Sequence, residues 1–184
     1  MDVLAQTARR IGPNTFFTRS RGDGWQMLLD DPGLCLWAAV FMAATLKTAE
    51  TGLASRIAVG LGTVQVAGPN LAAAWGSAFV ASGRALDTMP KGQTLALEGE
   101  GTDSFQRRVF AFVDDRMARW SREQAEAMAL GIMREENLTQ AELARVLGIT
   151  RQAIAARRQA AGHELIVGAF DDFYQHFHRE PPHG

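Results

Sequence analysis

Residues 138–162 read LTQAELARVLGITRQAIAARRQAAG, the pattern of two short helices joined by a tight turn. Thr139 and Glu142 have capping-box spacing, in which each side chain accepts a hydrogen bond from an otherwise unpaired backbone N–H. Gly148 can adopt the left-handed conformation that ends the first helix sharply. Thr150 can then cap a second helix. The spacing therefore predicts a helix-turn-helix.

The second helix of this unit has one apolar anchor and a polar outer face. With Ile154 directed to the core, the residues around it point outward, as in a helix that reads the major groove. Arginine can make two hydrogen bonds to guanine, glutamine can make two to adenine, and an alanine methyl can pack on thymine. The predicted base contacts are Thr150, Arg151, Gln152, Ala155, Ala156 and Gln159.

A second group of residues is suited to phosphate rather than to bases. Residues 133–162 hold five arginines and three glutamates, a local charge of +2, whereas the whole chain has a formal net charge of −1. Arg158 departs from the usual pattern, because many such helices carry an aliphatic residue four positions after the anchor. The predicted phosphate contacts are Gln140, Arg145, Arg157 and Arg158. The alternative is a packing or partner-binding unit whose arginines are only solvated.

Outside this unit, the two halves of the chain differ in their predicted secondary structure. Residues 1–101 alternate strand-like and helical segments, and residues 102–184 have helical periodicity with few breakers. This predicts an α+β half followed by an all-α half. Strands are expected at 15–20, 25–29, 56–66 and 94–99, and helices of the first half at 2–9, 34–46 and 71–86. Charged residues of the next helix are expected on a solvated face, namely Arg107, Arg108, Asp114, Asp115 and Arg116. The alternative is that this long helix forms a dimer interface.

Several of these segments together resemble the SatD family of bacterial proteins. The resemblance covers roughly residues 15–170 and is carried by RGDGWQMLL (21–29), RIAVGLGTV (56–64), GSAFVASGRALDTM (76–89) and WSREQAEAM (120–128), with the helix-turn-helix. It implies a regulatory DNA-binding role. The chain is therefore expected to be a transcriptional regulator of the SatD type.

The first half is also more distantly similar to the ferredoxin-like βαββαβ fold of class III nucleotide cyclases and GGDEF diguanylate cyclases. In those enzymes two carboxylates hold metal ions over the nucleotide phosphates. Asp23 matches the hairpin aspartate, but the preceding segment is helical and Asp2 is its only acid. The first strand is therefore expected to be missing, and Asp23 is expected to be a turn residue. The alternative is a nucleotide-binding or nucleotide-cyclising enzyme that uses Asp23 and a divalent metal.

Composition limits the remaining classes of protein. Hydrophobic residues make up 47% and charged residues 21% of the chain, which is ordinary for a globular protein. The single cysteine, Cys35, suits a reducing compartment, and the apolar run 34–46 is too short to span a bilayer. We therefore expect a soluble cytoplasmic protein without catalytic residue, metal site or cofactor. Its expected partners are double-stranded DNA and a second copy of itself, with room for a small-molecule or nucleotide effector.

Overall fold

The computed structural model describes residues 3–12, 15–19, 24–49, 55–66, 71–134 and 138–178. The fold is mixed α+β, as predicted, and helices dominate its second half. In chain order the elements are α1 Val3–Ile11, β1 Phe16–Arg19, β2 Trp25–Leu28, α2 Cys35–Thr48, β3 Ile57–Leu61, α3 Ser77–Thr88, β4 Leu95–Gly99, α4 Ser104–Ala118, α5 Arg122–Gly131, α6 Gln140–Leu147, α7 Arg151–Ala161 and α8 His163–His178. In the described ranges, no helix combines the length and apolar character needed to cross a bilayer.

The four strands form two pairs. β1 and β2 are the predicted antiparallel hairpin, with Phe16 opposite Leu28. β3 and β4 are parallel, with Ile57 opposite Leu95, and α3 connects them. A βαββαβ core requires one sheet, whereas the described strands form two separate two-stranded sheets. A cavity of about 910 Å³ lies between β2 and β3.

The strand predicted at 56–66 ends already at Leu61. Two helix boundaries also differ from the predicted ones. The helix expected at 71–86 is interrupted, since Gly76 has the non-helical angles φ 144° and ψ 175° and α3 begins only at Ser77. The helical pattern after residue 102 divides at Ser121, whose hydroxyl caps α5 in a capping box with Gln124. In both cases a local feature, the non-helical backbone of Gly76 or the cap at Ser121, starts a new helix although the surrounding residues favour one continuous helix.

The small residues of α3 allow the helix to lie close against β3. A Cβ atom added at Gly60 would collide with the carbonyl oxygen of Ala78 and with Ser82. Glycine is therefore required at this point of β3.

One hydrophobic core runs through both halves of the chain. Its centre is α2, which is apolar on all sides and therefore buried. Trp37 of α2 stacks on Phe41 with ring centroids 5.6 Å apart, and its Nε1 donates a hydrogen bond of 2.8 Å to the carbonyl of Ile132. The rings of Phe110 and Phe173 pack at 5.5 Å. Among the described residues, the change in composition at residue 102 therefore does not separate two cores.

Candidate nucleic-acid interface

Local hydrogen bonds fix both helix ends at the turn between α6 and α7. Thr139 Oγ1 accepts a hydrogen bond of 3.3 Å from the Glu142 N–H, and Glu142 Oε2 accepts one of 2.8 Å from the Thr139 N–H. Gly148 ends α6 with φ 65° and ψ 29°. Thr150 Oγ1 accepts 3.1 Å from the Ala153 N–H and so caps α7. The predicted caps are confirmed, and residues 148–150 form the connecting turn.

A small cluster of apolar residues holds α6 and α7 together. Leu143 and Ile154 are fully buried, and Ala144 lies between them with only 6% of its surface exposed. Ile149, in the turn, packs against this cluster, and its N–H donates 3.0 Å to the carbonyl of Ala144. The predicted anchor at Ile154 is confirmed. The opposite face of α7 is consequently left toward solvent.

The exposed face of α7 presents the residues predicted to contact bases. The exposed positions are Thr150, Arg151, Gln152, Ala155, Ala156 and Gln159. One guanidinium, two carboxamides and two methyl groups thus share the outer face of one helix. Thr150 contributes to it less directly, since its hydroxyl already accepts the capping hydrogen bond.

The four residues predicted to contact phosphate differ in accessibility. Gln140 and Arg145 are exposed on α6. Arg157 is half-buried, with Nη1 3.7 Å from Glu126 Oε2. Arg158 is also half-buried, with Nη2 3.1 Å from His163 Nδ1, and burial lowers the pKa of its guanidinium. Two of the four side chains are therefore exposed and two are half-buried, so the four do not form one equally accessible group.

Burial of Arg158 accounts for its departure from the aliphatic residue common at this position. The side chain lies on the inner flank of α7, close to Gly131 and His163. A long side chain can cover apolar surface with its methylene groups while its guanidinium keeps polar partners. Arg158 thus packs α7 against its neighbours.

Two side chains outside the helix pair hold the C-terminal end of α7. Arg116 of α4 donates from Nη2 to the carbonyl of Ala160 at 2.9 Å and from Nε to that of Ala161 at 3.2 Å. Trp120 Nε1 donates to the same Ala161 carbonyl at 2.9 Å. The last carbonyls of a helix lack internal partners, and a cation there also complements the helix dipole. α7 is therefore attached to the main core.

The expectation of a solvated charged face on α4 is wrong for three of its five residues. Arg107 is half-buried, and its Nη2 donates a hydrogen bond of 3.0 Å to Glu98 Oε2. Arg116 makes the contacts to α7 described above. Asp114 is buried and accepts a hydrogen bond of 2.9 Å from the Thr94 N–H, just before β4. No local pattern signals the role of Arg116, since its partners are 44 and 45 residues away.

The residues considered for enzyme chemistry give no assembled site in the described part of the chain. Asp23 lies outside the described residues. In the described ranges, no group of three or more histidine, cysteine, aspartate or glutamate side chains could hold a metal ion. Burial raises the pKa of the Cys35 thiol to about 12. Cys35 is therefore a buried thiol and is not activated as a nucleophile.

Comparison of the chain with models of known protein families, with curated proteins and with solved structures finds no match. The functional inference accordingly depends on the residues of the helix pair.

Proposed function

We propose that the protein is a DNA-binding transcriptional regulator of the SatD type that inserts α7 into the major groove. The observation that supports this most is the exposed face of α7, on a helix whose two ends are fixed. A helix that is held in place before binding loses little conformational freedom on contact with DNA.

The proposed contacts follow from side-chain chemistry. Arg151 reads guanine, Gln152 and Gln159 read adenine, and the methyl groups of Ala155 and Ala156 pack on thymine. Gln140 and Arg145 bind phosphate at the start and along the outer side of α6. Arg157 reaches phosphate only by leaving Glu126, so its contribution is expected to be smaller than that of Arg145.

The same proposal includes a homodimer, because one short reading helix gives too little affinity and specificity alone. α4 offers a surface for it: Phe105 is 69% and Phe112 is 75% exposed, one heptad apart on its outer side. Arg108 and Asp115 lie on the same side and have opposite charges, as an antiparallel contact of two copies requires. Phe112→Ser should shift the purified protein toward monomer in light scattering.

The proposal also includes a topology for the α+β half. The order helix, hairpin, helix, strand from α1 to β3 matches a βαββαβ unit after its first strand. We therefore propose that this half is a cyclase-like scaffold, followed by a helical reading unit.

DNA selection tests the function and the site together. The purified protein should enrich a defined sequence from random duplexes. Arg151→Ala should then reduce the free energy of DNA binding by about 1–3 kcal/mol and relax the base preference at one position of the site. Arg145→Ala should weaken binding to all sequences alike. It should also lower by about one the slope of the logarithm of the binding constant against the logarithm of the salt concentration. Arg84→Ala, an exposed arginine of α3, is the matched control and should change neither quantity.

Two results would reject the proposal. One is the absence of DNA binding at low salt, and the other is binding that neither Arg151→Ala nor Gln152→Ala alters. Calorimetry with Mg²⁺ and nucleoside triphosphates supplies a further criterion. Metal-dependent nucleotide binding that is lost in Asp23→Ala, together with absent DNA binding, would favour the enzyme alternative.

A further inference from the structure

The cavity between β2 and β3 is bordered by two open strand edges. In the described chain, β2 pairs only with β1, and β3 pairs only with β4. Residues of both strands, from Gly24 to Leu28 and from Ile57 to Leu61, line this one cavity of about 910 Å³. The hydrogen-bonding edges of two strands therefore border the same space.

The hydrogen-bond pattern of β3 shows which backbone groups face away from β4. The Ile57 N–H donates 2.7 Å to Thr94, and the Leu61 carbonyl accepts 2.9 Å from Glu100, so the odd-numbered residues pair with β4. In a parallel pair the intervening residues direct their N–H and C=O to the other side. Those groups of Ala58 and Gly60 are thus directed toward the cavity, which both residues line.

The strands β2 and β3 begin at the same end of the cavity. Trp25, at the start of β2, donates from Nε1 to Ser55 Oγ at 3.0 Å, just before the start of β3. The first residues of both strands therefore lie at one end of the cavity, and their last residues lie toward the other.

α2 and α3 supply most of the other walls, together with Phe177 of α8, and their lining side chains are small or apolar. α2 contributes Cys35, Ala38 and Ala39. α3 contributes Ala78, Phe79, Ser82, Gly83 and Leu86. Two strand edges and two helix faces together have the form of a slot, and we use that name for the cavity below.

We propose that the slot binds an extended strand from a separate polypeptide, about five residues long and apolar on both faces. Main-chain N–H and C=O groups on both of its edges match the open edges of β2 and β3, which is strand addition on two sides. A strand covered by helices on both faces is expected to be a continuous apolar run. Five residues follow from the length of β3, about 17 Å at 3.3 Å per residue.

Charge at the two ends of the slot restricts the occupant further. Asp30, Asp31 and Glu100 follow the last residues of β2 and β4 and line one end. Arg56 precedes β3 and lines the other end. A basic residue next to the apolar run, placed by the three carboxylates, is therefore part of the recognised segment.

The test uses the peptide acetyl-KVAVIVK-amide with the complete chain. Its five apolar residues fill the slot, and a lysine reaches the carboxylates in either orientation. We expect saturable binding in fluorescence anisotropy. We also expect slower hydrogen exchange at the Ala58 and Gly60 amides, because strand addition gives both amides a partner. The peptide acetyl-KVAPIVK-amide, whose proline removes an N–H and disrupts the ladder, should not bind.

Gly83 allows the slot to be blocked without disturbing the fold. It lines the slot, and a Cβ atom added there meets no atom within 4 Å. Gly83→Trp should therefore weaken binding by about tenfold or more, whereas Gly83→Ala should change it little. Gly168→Trp is the matched control, since Gly168 of α8 has the same open space and does not line the slot.

Several outcomes overturn the proposal. These are no peptide binding, equal binding of the proline peptide, or unchanged exchange at Ala58 and Gly60 in the presence of peptide. Equal binding by Gly83→Trp and wild type also overturns it. A dimer that Gly83→Trp dissociates, without peptide binding, would assign the slot to a second copy instead. The exchange measurement uses wild-type protein, so it decides the matter even if Gly83→Trp fails to fold.

Discussion

At Gly148 the backbone has φ 65° and ψ 29°, so a single residue sets the direction in which α7 leaves α6. Its N–H donates to the carbonyls at the end of α6, and the next residue, Ile149, donates to Ala144. A side chain at this position would be strained, although it would meet no neighbouring atom. The constraint at Gly148 is therefore conformational rather than steric.

Gly148→Ala should lower the free energy of unfolding by about 1 kcal/mol, because alanine disfavours the left-handed region. Gly83→Ala is the matched control, since it adds the same methyl group to the interior of α3, where the space is also open. It should raise the free energy of unfolding by about 0.5–1 kcal/mol. Urea unfolding followed by circular dichroism measures both. A stabilised Gly148→Ala protein would contradict the assigned cap.

His163 gives the stability of the α7–α8 junction a pH dependence. Burial first, and the charge of Arg158 second, lower the pKa of His163 below its ordinary value of about 6.5, while Glu164 and a hydrogen bond involving Gly131 act in the opposite direction. The folded state thus binds this proton less readily than the unfolded chain. The stability contribution is complete above pH about 6.5 and is lost progressively as the pH falls toward the lowered value.

The urea midpoint of wild type should therefore fall more between pH 7.5 and pH 5.5 than that of His163→Gln, which has no ring to protonate. Other titrating groups affect both proteins alike, so the difference between the two curves isolates His163. Parallel curves over this range would show that His163 titrates equally in the folded and unfolded states.

At the scale of elements, α7 is held by α4 as well as by α6. The apolar cluster around Ile154 sets the face of α7, and Arg116 and Trp120 hold its C-terminal carbonyls. Local capping could be predicted from residues three or four positions apart. The contact of α4 with α7 joins positions more than 40 residues apart, so it depends on how the helices pack.

Arg116→Ala should lower the free energy of unfolding by about 1 kcal/mol, since it removes two charged hydrogen bonds that are partly open to solvent. It should also weaken DNA binding if α7 is the reading helix. Arg119→Ala, at the C-terminal end of the same helix, is the control: its ion pair with Asp115 is exposed to solvent, so its loss should change the free energy of unfolding much less. Equal effects of the two substitutions on stability and on binding would show that α7 does not depend on Arg116.

On the scale of the whole molecule, one core joins the two halves that differ in composition. α2 contacts α5 and α8. The hydrogen bond from Trp37 to Ile132 joins residues on either side of residue 102, where the composition changes. α4 also packs against β4, and its buried Asp114 accepts a hydrogen bond from the Thr94 N–H just before that strand. The change in composition thus falls within one continuous hydrophobic core of the described residues.

Thermal unfolding should therefore follow a single cooperative transition, with equal calorimetric and van't Hoff enthalpies. Trp37→Phe, which keeps the stacked ring but leaves the buried Ile132 carbonyl without its donor, should lower that one midpoint by several degrees, for a cost of about 1–3 kcal/mol. Two resolved transitions, with only one displaced by Trp37→Phe, would show that the halves unfold separately.

Local chemistry along the chain determined the helix pair. Thr139, Glu142, Gly148 and Thr150 act within a few residues of themselves, so the sequence specified the caps, the turn and the exposed face of α7. Tertiary packing decided which arginines remain accessible, how α4 holds α7, and that the strands form two sheets with a slot between them. These features join residues far apart in the chain, and their free energy depends on burial and on partners that no local pattern records.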